Sequence, residues 1–197
     1  MFSPINLRYI AANRNRYKDL TGQPSRPLDL VVLHCMEAPE TEKTAVNVAT
    51  WFATEPTPQT SAHACVDDGT VVSCVQLRDV AYAAPNANRN GIHVELAGYA
   101  KQTKADWLDA YGRSMLPLAA CYLREIVLPK VEVLHPGRPI PVRYVDAAGL
   151  ARGERGITTH WEVSKWSAAH GLPGDHTHTD PGPGFPIHEF IAMVGGS

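Results

Sequence analysis

One short segment constrains the fold more than any other. Residues 29–35, centred on Leu30-Val31-Val32-Leu33, are apolar on both faces, preceded by Leu28 and closed by His34 and Cys35. A strand with one wet face alternates apolar and polar residues, whereas a strand covered on both faces reads as a continuous apolar run. The segment is therefore predicted to be a central strand, which requires helices or further structure on both sides of its sheet.

The remaining pattern supplies those layers. Thr44 to Ala53 reads as a helix with Ala45, Val48, Ala49 and Phe52 on one side, ended by Glu55-Pro56-Thr57-Pro58. Ala62–Val66 and Thr70–Gln76 flank Asp67-Asp68-Gly69, a hairpin signal. Ile92–Ala97 is a further strand, and Lys104–Leu128 carries Leu108, Tyr111, Met115, Leu118, Tyr122 and Ile126 at helical spacing. Pro117 is expected to kink or split that helix. Residues 129–155 read as a long surface excursion, followed by a short strand to His160, a loop, and a closing helix from about Ile187 to Val194. Strands alternating with helices, plus one hairpin, predict a single α/β domain with a central mixed sheet flanked by helices. Residues 1–28 read as an irregular lead-in and 29–197 as the domain proper.

Bulk properties exclude several classes. A formal net charge of −2 and no basic run give no case for nucleic acid. No apolar stretch approaches the roughly 20 residues that span a bilayer, so no membrane insertion is expected. The start, Met1-Phe2-Ser3-Pro4-Ile5-Asn6, lacks a charged region followed by an apolar one, so the chain is expected to stay in the cytoplasm at synthesis. Cys35, Cys65, Cys74 and Cys121 show no CxxC pairing and read as buried free thiols.

Three polar positions stand out against this background. His34 closes the apolar run, His160 closes Gly156-Ile157-Thr158-Thr159, and Asp180 opens Asp180-Pro181-Gly182-Pro183-Gly184. Two imidazoles and a carboxylate, if they converge, make a three-ligand set that leaves a fourth position on zinc open. Cys35 points away from His34 in an extended strand and is a poor co-ligand. In Ile92-His93-Val94-Glu95-Leu96 the apolar residues share one face, and His93 and Glu95 share the other. A carboxylate between apolar neighbours is costly to bury without a partner, so Glu95 is paired with an arginine, exposed on a sheet edge, or held as a base beside a metal-bound water. In His176-Thr177-His178-Thr179-Asp180 an extended backbone puts all three ionisable groups on one face, and spacing alone does not choose among them.

Taken in order, Leu30-Val31-Val32-Leu33-His34, Thr60–Val72, Asn90–Gly98, Gly156–His160 and His178–Pro183 resemble the zinc-dependent N-acetylmuramoyl-L-alanine amidases, a superfamily that includes phage lysozyme-type amidases and peptidoglycan recognition proteins. The resemblance covers roughly residues 29 to 190. It implies the amidase fold, one catalytic zinc on His34, His160 and Asp180, and Glu95 as the strand glutamate of the usual Gly-Ile-Glu-Leu pattern. Members lacking that glutamate tend to carry a tyrosine where this chain has Ala62. His63 is typical of the family and reads as structural. Two residues before the last ligand catalytic members often carry lysine; here the residue is His178, which could still donate a hydrogen bond to an oxyanion. The Asp-Pro-Gly-Pro context favours Asp180 over His178 as ligand.

The implied reaction is hydrolysis of the amide between N-acetylmuramic acid and L-alanine, with peptidoglycan or a muropeptide as partner. A phage endolysin acting on the cell wall after release is the expected role, with a cytoplasmic muropeptide-recycling amidase or a non-catalytic peptidoglycan-binding protein as alternatives. The full ligand set argues against the last. A monomer is expected. Loops 36–43, 84–91 and 130–155 are available to wall a substrate groove, and Trp161 and Trp166 to stack on sugar rings, with at least one of the two expected to pack against the sheet instead.

Overall fold

The computed structural model describes residues 5–57 and 59–196. Residues 1–4, within the start read for a leader, and Pro58, the second proline of the expected helix stop, lie outside the described residues. The strands are β1 (Leu7–Tyr9), β2 (Tyr17–Lys18), β3 (Leu30–Cys35), β4 (Ala64–Val66), β5 (Val71–Ser73), β6 (Val80–Ala81), β7 (Gly91–Leu96) and β8 (Gly156–Thr159). The helices are α1 (Thr44–Thr54), α2 (Lys104–Trp107), α3 (Gly112–Tyr122), α4 (Leu128–Leu134), α5 (Ala147–Ala151), α6 (His160–Ala169) and α7 (Ile187–Gly195). Six strands form one mixed sheet in the order β1-β5-β4-β7-β3-β8, in which only the β4–β5 hairpin is antiparallel.

β3 lies inside this sheet between two parallel neighbours, and all six of its residues are buried, as its apolar run requires. Period two then divides the chemistry. Val31, Leu33 and Cys35 of β3 and Ile92, Val94 and Leu96 of β7 face a core shared with α3 and α7 through Met115, Leu116, Ala119, Phe190 and Val194. The opposite face carries Leu30, Val32 and His34 beside Gly91, His93 and Glu95, and is covered by α1 and α6. Asp67, in the hairpin turn, fastens α1 to the sheet by accepting hydrogen bonds from the Ala45 and Thr70 amides.

Several boundaries differ from the sequence reading. The lead-in is not irregular: β1 extends the main sheet beside β5, β2 pairs with β6, and Arg16 and Arg26 are fully buried. Arg16 donates to the carbonyls of Glu55 and Thr60 and stacks its guanidinium on Trp51 at 4.3 Å. A short polar strand next to turn residues carries little periodicity, which is why it reads as loop. Pro117 does not split its helix; α3 runs through it, and Arg113, whose carbonyl lacks the amide four residues on, sits on the exposed side. The break falls at residues 108–111 instead. There Asp109 accepts the Gly112 amide, and a Cβ on Gly112 would lie 1.9 Å from the Trp107 carbonyl oxygen. Residues 128–134 continue the helix after one wide turn closed by the Leu128 amide on the Leu123 carbonyl. The excursion 129–155 is thus partly helical, with Ile140, Val145 and Leu150 buried. The segment after His160, read as a loop, is helix α6.

Candidate metal centre and its groove

Parallel strands deliver their carboxyl ends to one edge of the sheet, the usual place for a ligand in α/β folds. His34 and Glu95 are the penultimate residues of β3 and β7 and are register partners. His160 follows β8 directly and opens α6, whose start is capped by Thr159 Oγ1 accepting the Glu162 amide. Asp180 reaches the same place on a turn pinned from two sides. The Trp161 amide donates to the Asp180 carbonyl, and Gly182, at φ +96°, packs so closely that a Cβ would lie 1.9 Å from the Ala100 carbonyl oxygen.

The three side chains meet. His34 Nδ1 lies 3.1 Å from Asp180 Oδ2, and His160 Nδ1 lies 3.0 Å from Asp180 Oδ1. One donor atom from each of the three falls within 4.8 Å of the others, and all three residues are buried. The chemistry of the set fits a zinc ion: two imidazole nitrogens aimed at one carboxylate, in a pocket open on one side. Burial pushes the Asp180 pKa up, but hydrogen bonds from His160 and His34 outweigh it and hold the carboxyl well below its usual range. Burial lowers His160 despite its Asp180 contact.

Glu95 lies beside this trio and outside it. It is half-buried, and its Oε2 is wholly buried with no hydrogen-bond partner. Burial first, then the Asp180 and Glu37 carboxylates, push its pKa well above the ordinary glutamate value. Of the readings left open, neither the ion pair nor the exposed edge occurs: no salt bridge to Glu95 is present among the described residues, and β7 lies inside the sheet between β4 and β3. His178 is exposed and stacks on the His160 ring, centroids 4.2 Å apart. Its nitrogens stand 3.8 Å from Asp180 Oδ1 and 3.6 Å from Asp175 Oδ2, too far for hydrogen bonds, and burial beside His160 lowers its pKa. His176 does not join them: its Nε2 donates back to the Leu172 carbonyl.

The groove over these residues has a volume of about 550 Å³. Its aromatic wall is Trp51, Phe52 and Tyr82, and neither Trp161 nor Trp166 lines it. Trp161 lies under the Lys165 ammonium at 4.3 Å, and Trp166 packs against the Leu30–Val32 cluster. Of the three candidate wall loops only 36–43 contributes, through Met36 and Glu37. Residues 84–91 and 130–155 lead into β7 and β8, so they lie at the amino ends of those strands, away from the site.

Sequence reasoning gave His93 no role, yet it touches the centre. It is fully buried, its Nδ1 is 3.0 Å from His34 Nε2, and behind it stand His63 and Arg26. Burial holds His63 and His93 well below the ordinary histidine pKa and draws the Arg26 guanidinium down to about 10, so the histidines are neutral and the arginine charged at pH 7. The available signal was the shared parity of His93 with Glu95. All four cysteines are buried and free.

An interior parallel strand with a histidine next to its end, a second histidine and an aspartate converging on it, and an adjacent unpaired glutamate define an α/β protein whose sheet edge carries a candidate metal site. The profile of the N-acetylmuramoyl-L-alanine amidase family matches residues 24–183, and the chain belongs to that family. No curated protein sequence matches it. Among solved structures, a mutant of PlyL is similar over 98% of this chain and 100% of its own, at 16% identity and a TM-score of 0.60. The Staphylococcus aureus hydrolase AmiA, in complex with its ligand, is similar over 98% and 84%, at 14% identity and a TM-score of 0.59. A mutant endolysin from Bacillus subtilis is similar over 98% and 100%, at 15% identity and a TM-score of 0.57. At these identities the likeness is one of fold.

Proposed function

We propose that this chain is a zinc-dependent amidase that hydrolyses the bond between the lactyl group of N-acetylmuramic acid and L-alanine in peptidoglycan. The observation that carries the reading is the meeting of His34 Nδ1, His160 Nδ1 and the Asp180 carboxylate under an open groove. These three residues would hold one zinc ion. When bound, such an ion supplies Lewis acidity, polarising a carbonyl oxygen and lowering the pKa of water from about 15.7 toward 7.

The chain's own groups do the rest. Glu95 takes a proton from the water as its oxygen bonds to the carbonyl carbon, and gives a proton to the alanine nitrogen as the C–N bond breaks. In the metal-free chain burial and the Asp180 and Glu37 carboxylates raise its pKa, and a zinc ion held beside it would favour the ionised form that takes the proton. His178, neutral at pH 7, donates a hydrogen bond from the groove wall to the oxygen that gains charge. Val48, Trp51 and Tyr82 give the groove an apolar side against which a glycan or stem peptide can lie.

We place the enzyme among phage endolysins, made in the cytoplasm and acting as a monomer on the wall after release. Family membership and the fold shared with a Bacillus subtilis endolysin support this role. Among the described residues no helix is long and apolar enough to cross a membrane. The test is zinc content of the purified chain together with release of free N-terminal alanine from intact walls and from soluble muropeptides. One zinc per chain and alanine release from intact walls, abolished by chelation and restored by zinc, are expected. A zinc-loaded chain that binds walls without cleaving them would overturn the enzyme reading; cleavage confined to soluble fragments would replace the endolysin role with muropeptide recycling.

A further inference from the structure

We propose that His93 is a positioning residue for the metal centre: its Nδ1 accepts the Nε2–H of His34 and so holds His34 with Nδ1 bare and turned toward Asp180. The inference rests on the reading of His34 as a metal ligand. A neutral imidazole has two ring nitrogens and one proton, and a ligating nitrogen must carry its lone pair free. His34 points Nδ1 at Asp180, 3.1 Å away, so its proton sits on Nε2 in the loaded protein. The atom 3.0 Å beyond is His93 Nδ1, which must then be the acceptor, leaving the His93 proton on Nε2.

The fold holds His93 in this orientation from outside the groove. Its backbone amide donates to His63 Nδ1, and its carbonyl accepts the His63 amide, both at 2.9 Å. His63 Nε2 in turn lies 2.9 Å from Arg26 Nη2 and 3.2 Å from the Asp79 carbonyl. The two rings stack with an interplanar angle of 16°. Arg26 closes the array by donating to the Leu77, Arg89 and Gly91 carbonyls, which fixes the segment entering β7.

A purely structural role explains this arrangement poorly. His93 is fully buried and its Nε2 has no partner, so its ring leaves a donor unsatisfied where an apolar side chain would leave none. The one hydrogen bond its ring makes is the one to His34. Outer partners of this kind orient metal-binding histidines and fix their tautomer.

The experiment compares zinc affinity, by competition with a chelator, for the parent, His93→Leu and His93→Asn. Leucine fills the space without an acceptor, and asparagine places an amide oxygen near the position of Nδ1. The expected result is affinity weakened about 10–100-fold in His93→Leu and largely recovered in His93→Asn, with the metal-free leucine variant melting no lower than the parent. Equal affinity for parent and leucine variant, or equal loss in both variants, overturns the proposal. Nitrogen NMR of the zinc-loaded parent decides independently of how the variants fold. His93 protonated on Nε2 supports the proposal; His93 protonated on Nδ1 refutes it. A parent that binds no zinc would instead remove the metal reading beneath it.

Discussion

Replacing Glu95 with glutamine tests the site where its design is most exposed. The side chain keeps its volume and loses only its charge and its ability to take a proton. In the structure the carboxylate has a wholly buried, unpartnered oxygen, and the charges that act on it, Asp180 and Glu37, have its own sign. The folded state therefore favours the protonated form, and the ionised form is a burden the fold carries. Each tenfold by which burial weakens the acid is worth about 1.4 kcal/mol, while the missing hydrogen bond at the buried atom is common to glutamate and glutamine. The sign follows from a folded pKa raised above the unfolded one. The destabilisation is full above the folded pKa and vanishes below the ordinary glutamate value, where both states are protonated. The metal-free Glu95→Gln chain should thus be more stable than the parent at pH 8, by about 1.4 kcal/mol for each tenfold of that weakening, with the gap closing as pH falls toward 4.5. Urea unfolding at both pH values measures it. Zinc content should be unchanged, because Glu95 stands outside the ligand trio, while kcat falls about 10²–10⁴-fold, the usual worth of a general base. A glutamine variant no more stable than the parent at pH 8 would mean that the carboxylate has a stabilising partner. One that still cleaves walls would remove Glu95 from the mechanism.

His178→Ala should keep its zinc and change stability by less than about 0.5 kcal/mol, since the ring is exposed, yet lose about 10²–10³-fold in kcat if it serves the oxyanion. Unaltered turnover on walls would leave it a bystander stacked on His160. Arg26→Met strips charged donors from the Leu77, Arg89 and Gly91 carbonyls; at roughly 1–3 kcal/mol for each group left unsatisfied, the loss should be at least about 3 kcal/mol by urea unfolding. Deleting residues 1–28 should likewise prevent cooperative folding. A truncated chain with the parent's unfolding transition would make the lead-in dispensable.

Residues 29–35 and 91–96 declared their strands because period two and burial act on each residue separately, and the same parity put His93 with Glu95. The polar residues that end strands were equally visible, since His34, His160 and Asp180 each interrupt an apolar or turn pattern that would be cheaper without them. What one-dimensional pattern leaves out is which distant segments meet. Arg16 and Arg26 sit in turn-rich sequence, and nothing local says that their guanidinium groups thread under carbonyls many residues away. The groove wall was misplaced for a related reason. Loops 84–91 and 130–155 precede parallel strands and so fall at the amino ends, a consequence of strand direction that becomes usable only once pairing is known. Sequence alone determined the kind of chemistry, because residue types limit which protons and metals a chain can handle. Tertiary structure decided the orientation: which nitrogen of His34 faces Asp180, and that His93 stands behind the other, because a hydrogen bond between neighbouring strands depends on register and not on composition.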